Sequence, residues 1–202
     1  MRIFFTILLC LGFTLAAQSR ERLIPMSLSV FNNGTSLPGA GYAGVFSKTI
    51  HPGICLGTSH VYRQRPKHEW YQSLKLGYFY HRHAQHALQL YSELGYRYLT
   101  KSSWYAEVGL GLGYLHAFAD VQQFKLEDGV YRKKANWGRP QLMASMALSA
   151  GYDLSKKTKM PLRLFLQYQF WLQTPFVNKY VPLLPNTALH VGVVYTLAPK
   201  NK

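Results

Sequence analysis

Cysteine is nearly absent from this chain: Cys10 and Cys55 are the two in 202 residues. Cys10 lies inside an N-terminal apolar run, so a mature chain without that run keeps Cys55 alone and forms no intramolecular disulfide. A small disulfide-stapled secreted domain is thereby excluded, and stability has to come from the fold. Acidic residues are scarce as well, with 8 Asp and Glu against 23 Lys and Arg, a formal net charge of +15. Such a bias favours anionic partners, namely phospholipid, phosphorylated lipid headgroups or nucleic acid. No groove-reading motif and no single-strand stacking module accompanies it, which argues against nucleic acid. Beyond residue 17 no apolar run reaches the ~20 residues of a membrane helix. Charged residues make up 15% of the chain and hydrophobic ones 48%, with 15 tyrosines, yet the mean hydropathy is only -0.10. That profile fits neither a disordered chain nor a helical membrane bundle, and the length suits one domain with a real core or a closed barrel.

The N-terminus carries the marks of export. Arg2 precedes "IFFTILLCLGFTLAA", an apolar run that ends on the small residues Ala16 and Ala17. These are the parts of a secretory signal peptide, expected over residues 1–19, which leaves one domain over residues 20–202. Leu9 before Cys10 is a poor match to a lipoprotein site.

What the chain has in abundance is alternation. Residues 70–80 put Trp70, Leu74, Leu76, Tyr78 and Tyr80 on one face, opposite Tyr71, Ser73, Lys75, Gly77 and Phe79. The same period of two runs through residues 88–98, 104–114, 142–152, 162–172 and 189–197. Six such segments, with two weaker ones at about 23–31 and 53–63, predict eight strands. In the segment "SWYAEVGLGLGYLHAF", Gly109, Gly111 and Gly113 alternate with leucine. They lack the strand-turn-helix setting of a phosphate loop and read as one nearly bare strand face.

The distribution of aromatics says which face is inside. Leu, Val, Met and Ala fill the middles of the leucine faces, while Trp and Tyr gather at the ends. With the N-terminus starting in the periplasm, Trp70, Tyr96, Tyr98, Trp104, Tyr152 and Tyr195 fall at the periplasmic rim. Tyr78, Tyr80, Tyr114 and Phe170 then fall at the outer rim. A soluble core has no reason to sort its aromatics by height, whereas a membrane barrel carries girdles where rings meet headgroups. The predicted periplasmic joins are short ("RQRPKHE", "TKSS", "SKKTKMP"), and the longest joins, about residues 32–52 and 119–138, lie outside. The expected fold is therefore all-β: a closed antiparallel up-and-down transmembrane barrel with polar side chains in its lumen.

On these features the chain resembles the small eight-stranded outer-membrane β-barrel proteins of Gram-negative bacteria. Its last strand, "HVGVVYTL", is similar to the terminal signal that the assembly machinery of such proteins recognises. His190, Gly192, Tyr195 and Leu197 fill the polar, glycine, aromatic and hydrophobic places, although "APKNK" follows where the commonest form ends. The resemblance implies export to the outer membrane and contact with that machinery, and no particular activity.

Inside the expected lumen the charges sort by sign. A three-residue turn at 101–103 sets Arg97 opposite Glu107, one of two registers sets Lys75 opposite Glu93, and Asp153 and Arg163 flank another turn. Paired ions are what a closed lumen tolerates, and eight strands leave a space that side chains fill, so no channel is expected. In the first of these registers Gly95, Glu93 and Tyr91 face Gly109, Gly111 and Gly113. The bare stripe would then make room for large side chains, with Phe165 and Trp171 as further candidates.

Chemistry is thinner. His81, His83 and His86 share one turn without a neighbouring carboxylate or thiolate, so no metal and no cofactor is expected. A lipid A deacylase on the barrel wall would need serine, histidine and acid together; His116 has no serine two residues away in "LHAFAD". The expected role is structural, adhesive or surface-ligand-binding, by a monomer whose partners are outer-membrane lipids and lipopolysaccharide phosphates. A barrel-borne lipid A-modifying enzyme and a soluble lipocalin-like carrier are the alternatives.

Overall fold

The computed structural model describes residues 24–35, 50–82, 84–122, 124–127, 129–133, 135–158, 160–176 and 181–197; the expected signal peptide lies outside them. The strands are β1 (Ile24–Gly34), β2 (Pro52–Gln64), β3 (His68–His81), β4 (Gln85–Leu99), β5 (Trp104–Ala119), β6 (Phe124–Glu127), β7 (Val130–Lys133), β8 (Arg139–Asp153), β9 (Leu162–Thr174) and β10 (Leu184–Leu197). One four-residue helix, α1 (Ser155–Thr158), joins β8 to β9. Eight of the strands form a closed barrel in the order β1-β10-β9-β8-β5-β4-β3-β2, and β6 and β7 form a separate hairpin.

Each barrel strand pairs antiparallel with its neighbours, and the seam closes where β1 meets β10, from Ile24 opposite Leu197 to Gly34 opposite Thr187. Closure removes every sheet edge, which a strand surrounded by lipid requires because no water is there to pair with it. At 11 to 16 residues, the barrel strands equal or exceed the ~9–11 that cross the hydrocarbon at the usual tilt. Short connections at one end (residues 65–67, 100–103 and 154–161) and, apart from the three-residue β3–β4 turn, longer ones at the other give the barrel a short-turn end and a long-loop end.

The wall has the opposite polarity to a soluble protein. Leu110 and Leu112 are 64% and 73% exposed, while Trp171 and Gln173 in the lumen are fully buried. In water so much bare leucine would be a heavy cost; against acyl chains it is the solvated face. Lumen aromatics lie over glycines of the adjoining strand, Tyr71 on Gly95, Tyr105 on Gly151 and Phe31 on Gly53, which fills space where a side chain is missing.

The stripe in β5 works by the same rule but unevenly. Gly95, Glu93 and Tyr91 are the register partners of Gly109, Gly111 and Gly113. A Cβ on Gly111 would stand 2.5 Å from Ser145 Oγ and 2.7 Å from Glu93 Cγ, and one on Gly113 would run into Tyr91. A Cβ on Gly109 would meet nothing nearer than the Leu94 carbonyl oxygen at 3.7 Å. The groups that need this bareness are thus the side chains of β4 and β8. Phe165 lies against Gly192, and Trp171 packs edge-on to Phe79 with centroids 5.6 Å apart. Replacing Gly111 by leucine is expected to destabilise the barrel by ~1–3 kcal/mol through overpacking, whereas Gly109→Ala leaves stability unchanged. Urea unfolding of the two variants in detergent micelles checks the contrast, and equal midpoints would refute the packing described.

Candidate functional site: a filled lumen beneath an outer hairpin

From the short-turn end upward, the lumen holds three tiers. In the first, the Arg97 guanidinium donates to Glu69 Oε2 at 2.5 Å and pairs with Glu107. Tyr71 donates its hydroxyl to Glu107 Oε2 at 2.8 Å, Gln64 Nε2 donates to Glu69 Oε1 at 3.1 Å, and the guanidinium lies 4.6 Å from the Tyr71 ring centroid. Two carboxylates and a ring thus surround one cation on β4, which is how a buried charge becomes tolerable.

The middle tier crosses the barrel. Lys75 pairs with Glu93 and also reaches Gln167 Oε1 at 3.4 Å. Gln169 Nε2 donates to Glu93 Oε1 at 3.0 Å, and its own carbonyl lies 3.1 Å from His190 Nε2. On the other side of that ring, His190 Nδ1 meets Ser29 Oγ at 3.4 Å, and Phe31 stacks on the imidazole at 4.4 Å. The chain Ser29–His190–Gln169–Glu93–Lys75 therefore links β1, β10, β9, β4 and β3, holding both sides of the closure seam. The third tier is made of amides and apolar groups. Gln85 and Gln173 exchange two hydrogen bonds, at 2.9 and 3.1 Å, and Gln173 also donates to Gln141 at 2.7 Å. Trp171 Nε1 donates to Asn33 Oδ1 at 3.2 Å beside buried Phe79, Leu115 and Met143.

The expected charge pairs are placed as follows. Arg97 and Glu107 are register partners and are paired. Lys75 pairs with Glu93 diagonally, because the register sets Tyr91 opposite Lys75 and Ser73 opposite Glu93. Asp153 and Arg163 are register partners, yet no ion pair joins them among the described residues. The Asp153 carboxylate instead accepts from the Ser155 backbone N–H at 2.9 Å and from its hydroxyl at 2.5 Å, capping α1. Glu69 lies one residue before the alternating stretch that begins at Trp70, and one more step of alternation from Tyr71 reaches it. The glutamine tier was missed too, since amides carry no charge to sort.

The aromatics form two bands on the outer wall. At the short-turn end Trp70 meets Tyr96 with centroids 5.1 Å apart, and Trp104 meets Tyr152 at 5.2 Å; Tyr98 and Tyr195 lie at the same end. At the other end Tyr78, His86, Phe118, His116 and Tyr114 make a run of neighbouring rings across β3, β4 and β5, and Tyr80 donates to Asp120 at 3.1 Å. In β10, His190 and Gly192 face the lumen while Tyr195 and Leu197 face outward.

Among the described residues, the β3–β4 histidines His81 and His86 pack against different neighbours. His81 stacks on His51 at 3.7 Å, His86 stacks on Phe118, and His83 lies outside the described residues. Burial, and next the neighbouring His81, hold the His51 imidazole below its ordinary value, in keeping with its Nδ1 accepting from the Arg82 backbone N–H at 3.3 Å. His116 has its Nδ1 2.6 Å from the Tyr114 hydroxyl and its Nε2 3.1 Å from the Trp137 carbonyl oxygen, with Phe118 two residues on.

Above the rim stands the β6–β7 hairpin, which lies in the longest described connection and which the pattern of barrel strands did not announce. Phe124, Val130, Tyr131 and, just beyond the hairpin, Trp137 are exposed, next to exposed Arg132 and Lys133. An open cleft of about 480 Å³ at its base is lined by Ala119, Asp120, Val121, Gln122, Lys133, Ala135 and Asn136.

An eight-stranded closed barrel with a lipid-type outer wall and a side-chain-filled lumen is the fold of the small outer-membrane β-barrels. No family model matches the sequence, and no curated protein matches it. Among solved structures the chain is similar to Neisserial surface protein A, with a TM-score of 0.53 at 13% identity, covering 86% of this chain and 97% of that one. Two further similar structures are the attachment invasion locus protein Ail of Yersinia pestis (TM-score 0.48, 11% identity, 88% and 100% covered) and the outer membrane enzyme PagL (0.46, 11%, 83% and 97%). At such identities the likeness is one of fold.

The lumen makes a sharp prediction. Arg97→Met leaves Glu69 and Glu107 unpaired in a space without bulk water, and is expected to cost ~3–5 kcal/mol. Adding Glu69→Gln and Glu107→Gln removes the stranded charges and should restore most of that loss. Unfolding midpoints in micelles decide the matter; a triple variant no more stable than the single one would contradict this reading of the tier.

Proposed function

We propose that this protein is a non-catalytic barrel of the Gram-negative outer membrane, exported by its N-terminal signal peptide, which presents its long loops to an anionic surface ligand. The observation that carries the proposal is the β6–β7 hairpin. Its exposed Phe124, Val130 and Tyr131 stand beside Arg132 and Lys133, and Trp137 just beyond them is 85% exposed. Rings and cations together fit an amphiphile with phosphate groups, the cations meeting the anion and the rings lying at the headgroup boundary.

Lipopolysaccharide supports this choice of ligand, because a hairpin at the long-loop end of a barrel that enters from the periplasm stands in the leaflet that carries it. The filled lumen supports a role at the ends of the barrel over transport through it. Aromatics banded on the outer wall and charged groups turned inward support a membrane barrel over a soluble carrier.

Shortening residues 120–137 to a four-residue turn is the test. The shortened barrel is expected to fold, judged by heat-modifiable migration in detergent, and to bind lipopolysaccharide at least tenfold more weakly than the full chain. Undiminished binding by the shortened, folded barrel would overturn the proposal.

A further inference from the structure

The two ends of the barrel differ in how their charge is arranged. Among the described residues, the loops at the long-loop end carry Arg82, Arg132 and Lys133, with Asp120 close by. The short-turn end concentrates Arg63, Arg65, Lys67 and Lys101 in two brief stretches, residues 62–67 and 100–103, with no acidic residue in either. Arg63, Arg65, Lys67 and Lys101 are exposed, and among the described residues the ion pairs lie in the lumen instead.

A backbone irregularity shows that one of these charges is deliberately aimed. The β2–β3 register runs in step as far as Val61 opposite Tyr71, then shifts so that Arg63 is opposite Trp70 and Gln64 opposite Glu69. Without the bulge, strict alternation would turn Arg63 inward onto Glu69 and Gln64 outward. With it, Gln64 donates to Glu69 in the lumen, and Arg63 shares the outer face with Trp70, a member of the aromatic band. Bulges re-aim side chains in this way. Register partners on one face lie within about 5.5 Å, so the cation is held at the depth where indole meets headgroups.

We infer that the short-turn rim is a collar that binds the phosphates of anionic phospholipid headgroups in the surrounding leaflet. The inference rests on the membrane-barrel reading above. A lipid is favoured over a water-soluble polyanion by position: the turns at 65–67 and 100–103 are too short to reach away from the membrane, and Arg63 is turned sideways toward the bilayer. Lys and Arg near an anionic membrane surface are each attracted appreciably, and salt screens the attraction.

The test reconstitutes the barrel in nanodiscs of mixed phosphatidylcholine and phosphatidylglycerol and measures, by native mass spectrometry, the lipids that stay bound. The native barrel is expected to retain phosphatidylglycerol over phosphatidylcholine by roughly threefold or more, with the preference fading at high salt. Arg63→Gln, Arg65→Gln, Lys67→Gln and Lys101→Gln together should abolish it, while the charge-retaining Arg63→Lys keeps it. Arg82→Gln, at the opposite end and outside the β6–β7 hairpin, should leave it unchanged. Heat-modifiable migration certifies that each variant is folded. A native barrel without headgroup preference, or a quadruple variant that keeps it, overturns the collar. Capture of soluble polyglutamate by barrels that show no lipid preference also overturns it. Failure to enter the bilayer would instead remove the membrane-barrel reading on which it stands.

Discussion

Arg97, held between Glu69 and Glu107 inside a closed wall of strands, embodies the constraint on which the rest depends. A barrel whose outside faces hydrocarbon can place its polar side chains only in the lumen or at the two rims. A lumen eight strands wide has little room for water, so every charge placed there needs a protein partner. The tier around Arg97 answers with two carboxylates and a tyrosine hydroxyl, and the middle tier answers with Lys75, Glu93 and a run of hydrogen bonds to Ser29. Because that run touches both β1 and β10, the filling of the barrel and the closing of the barrel are the same event energetically.

Close packing follows from the same narrowness. Large side chains fit only where the facing strand is bare, which is why tyrosines and phenylalanine lie on glycines and why Gly111 and Gly113 tolerate nothing larger. A core of this density leaves interaction to the surfaces. Those surfaces divide by chemistry: rings with mixed charge at the long-loop end, and a concentration of positive charge in the β2–β3 and β4–β5 turns at the short-turn end.

Much of this was legible in the amino-acid order. Period-two alternation has one physical meaning over ten residues, and sorting of Trp and Tyr to strand ends identified the lipid face without any contact being known. The β4–β5 register could be derived because the short turn before Trp104 left little freedom, and it places Arg97 opposite Glu107. Register across longer or ambiguous turns could not be derived: Lys75 and Glu93 meet diagonally, through the reach of the lysine stem rather than direct opposition. The bulge at Arg63 leaves no mark in composition; it shows only in the β2–β3 register, where it turns Gln64 onto Glu69. Asp153 found a competing partner in the Ser155 cap, a local interaction that a strand-only reading omits. The β6–β7 hairpin had a signal, Asp128-Gly129 between two four-residue strands, which fits a tight turn; Gly129 takes a φ of 76°. It was masked by the surrounding charge. His190 was noticed for its place in the terminal strand, while its role as the link between Ser29 and Gln169 depends on contacts far apart in the chain.

The assignment of the two faces can be measured directly. Single cysteines at positions 108 to 113, introduced into a chain with Cys55 replaced by serine and labelled with a small environment-sensitive fluorophore, report contact with brominated acyl chains by quenching. Val108, Leu110 and Leu112 should be quenched strongly, and Gly109, where a Cβ has room, only weakly, with labels at Gly111 and Gly113 impairing folding. Strong quenching at Gly109 with protection at Leu110, or equal quenching throughout, would contradict a lipid-facing leucine wall around a filled polar lumen.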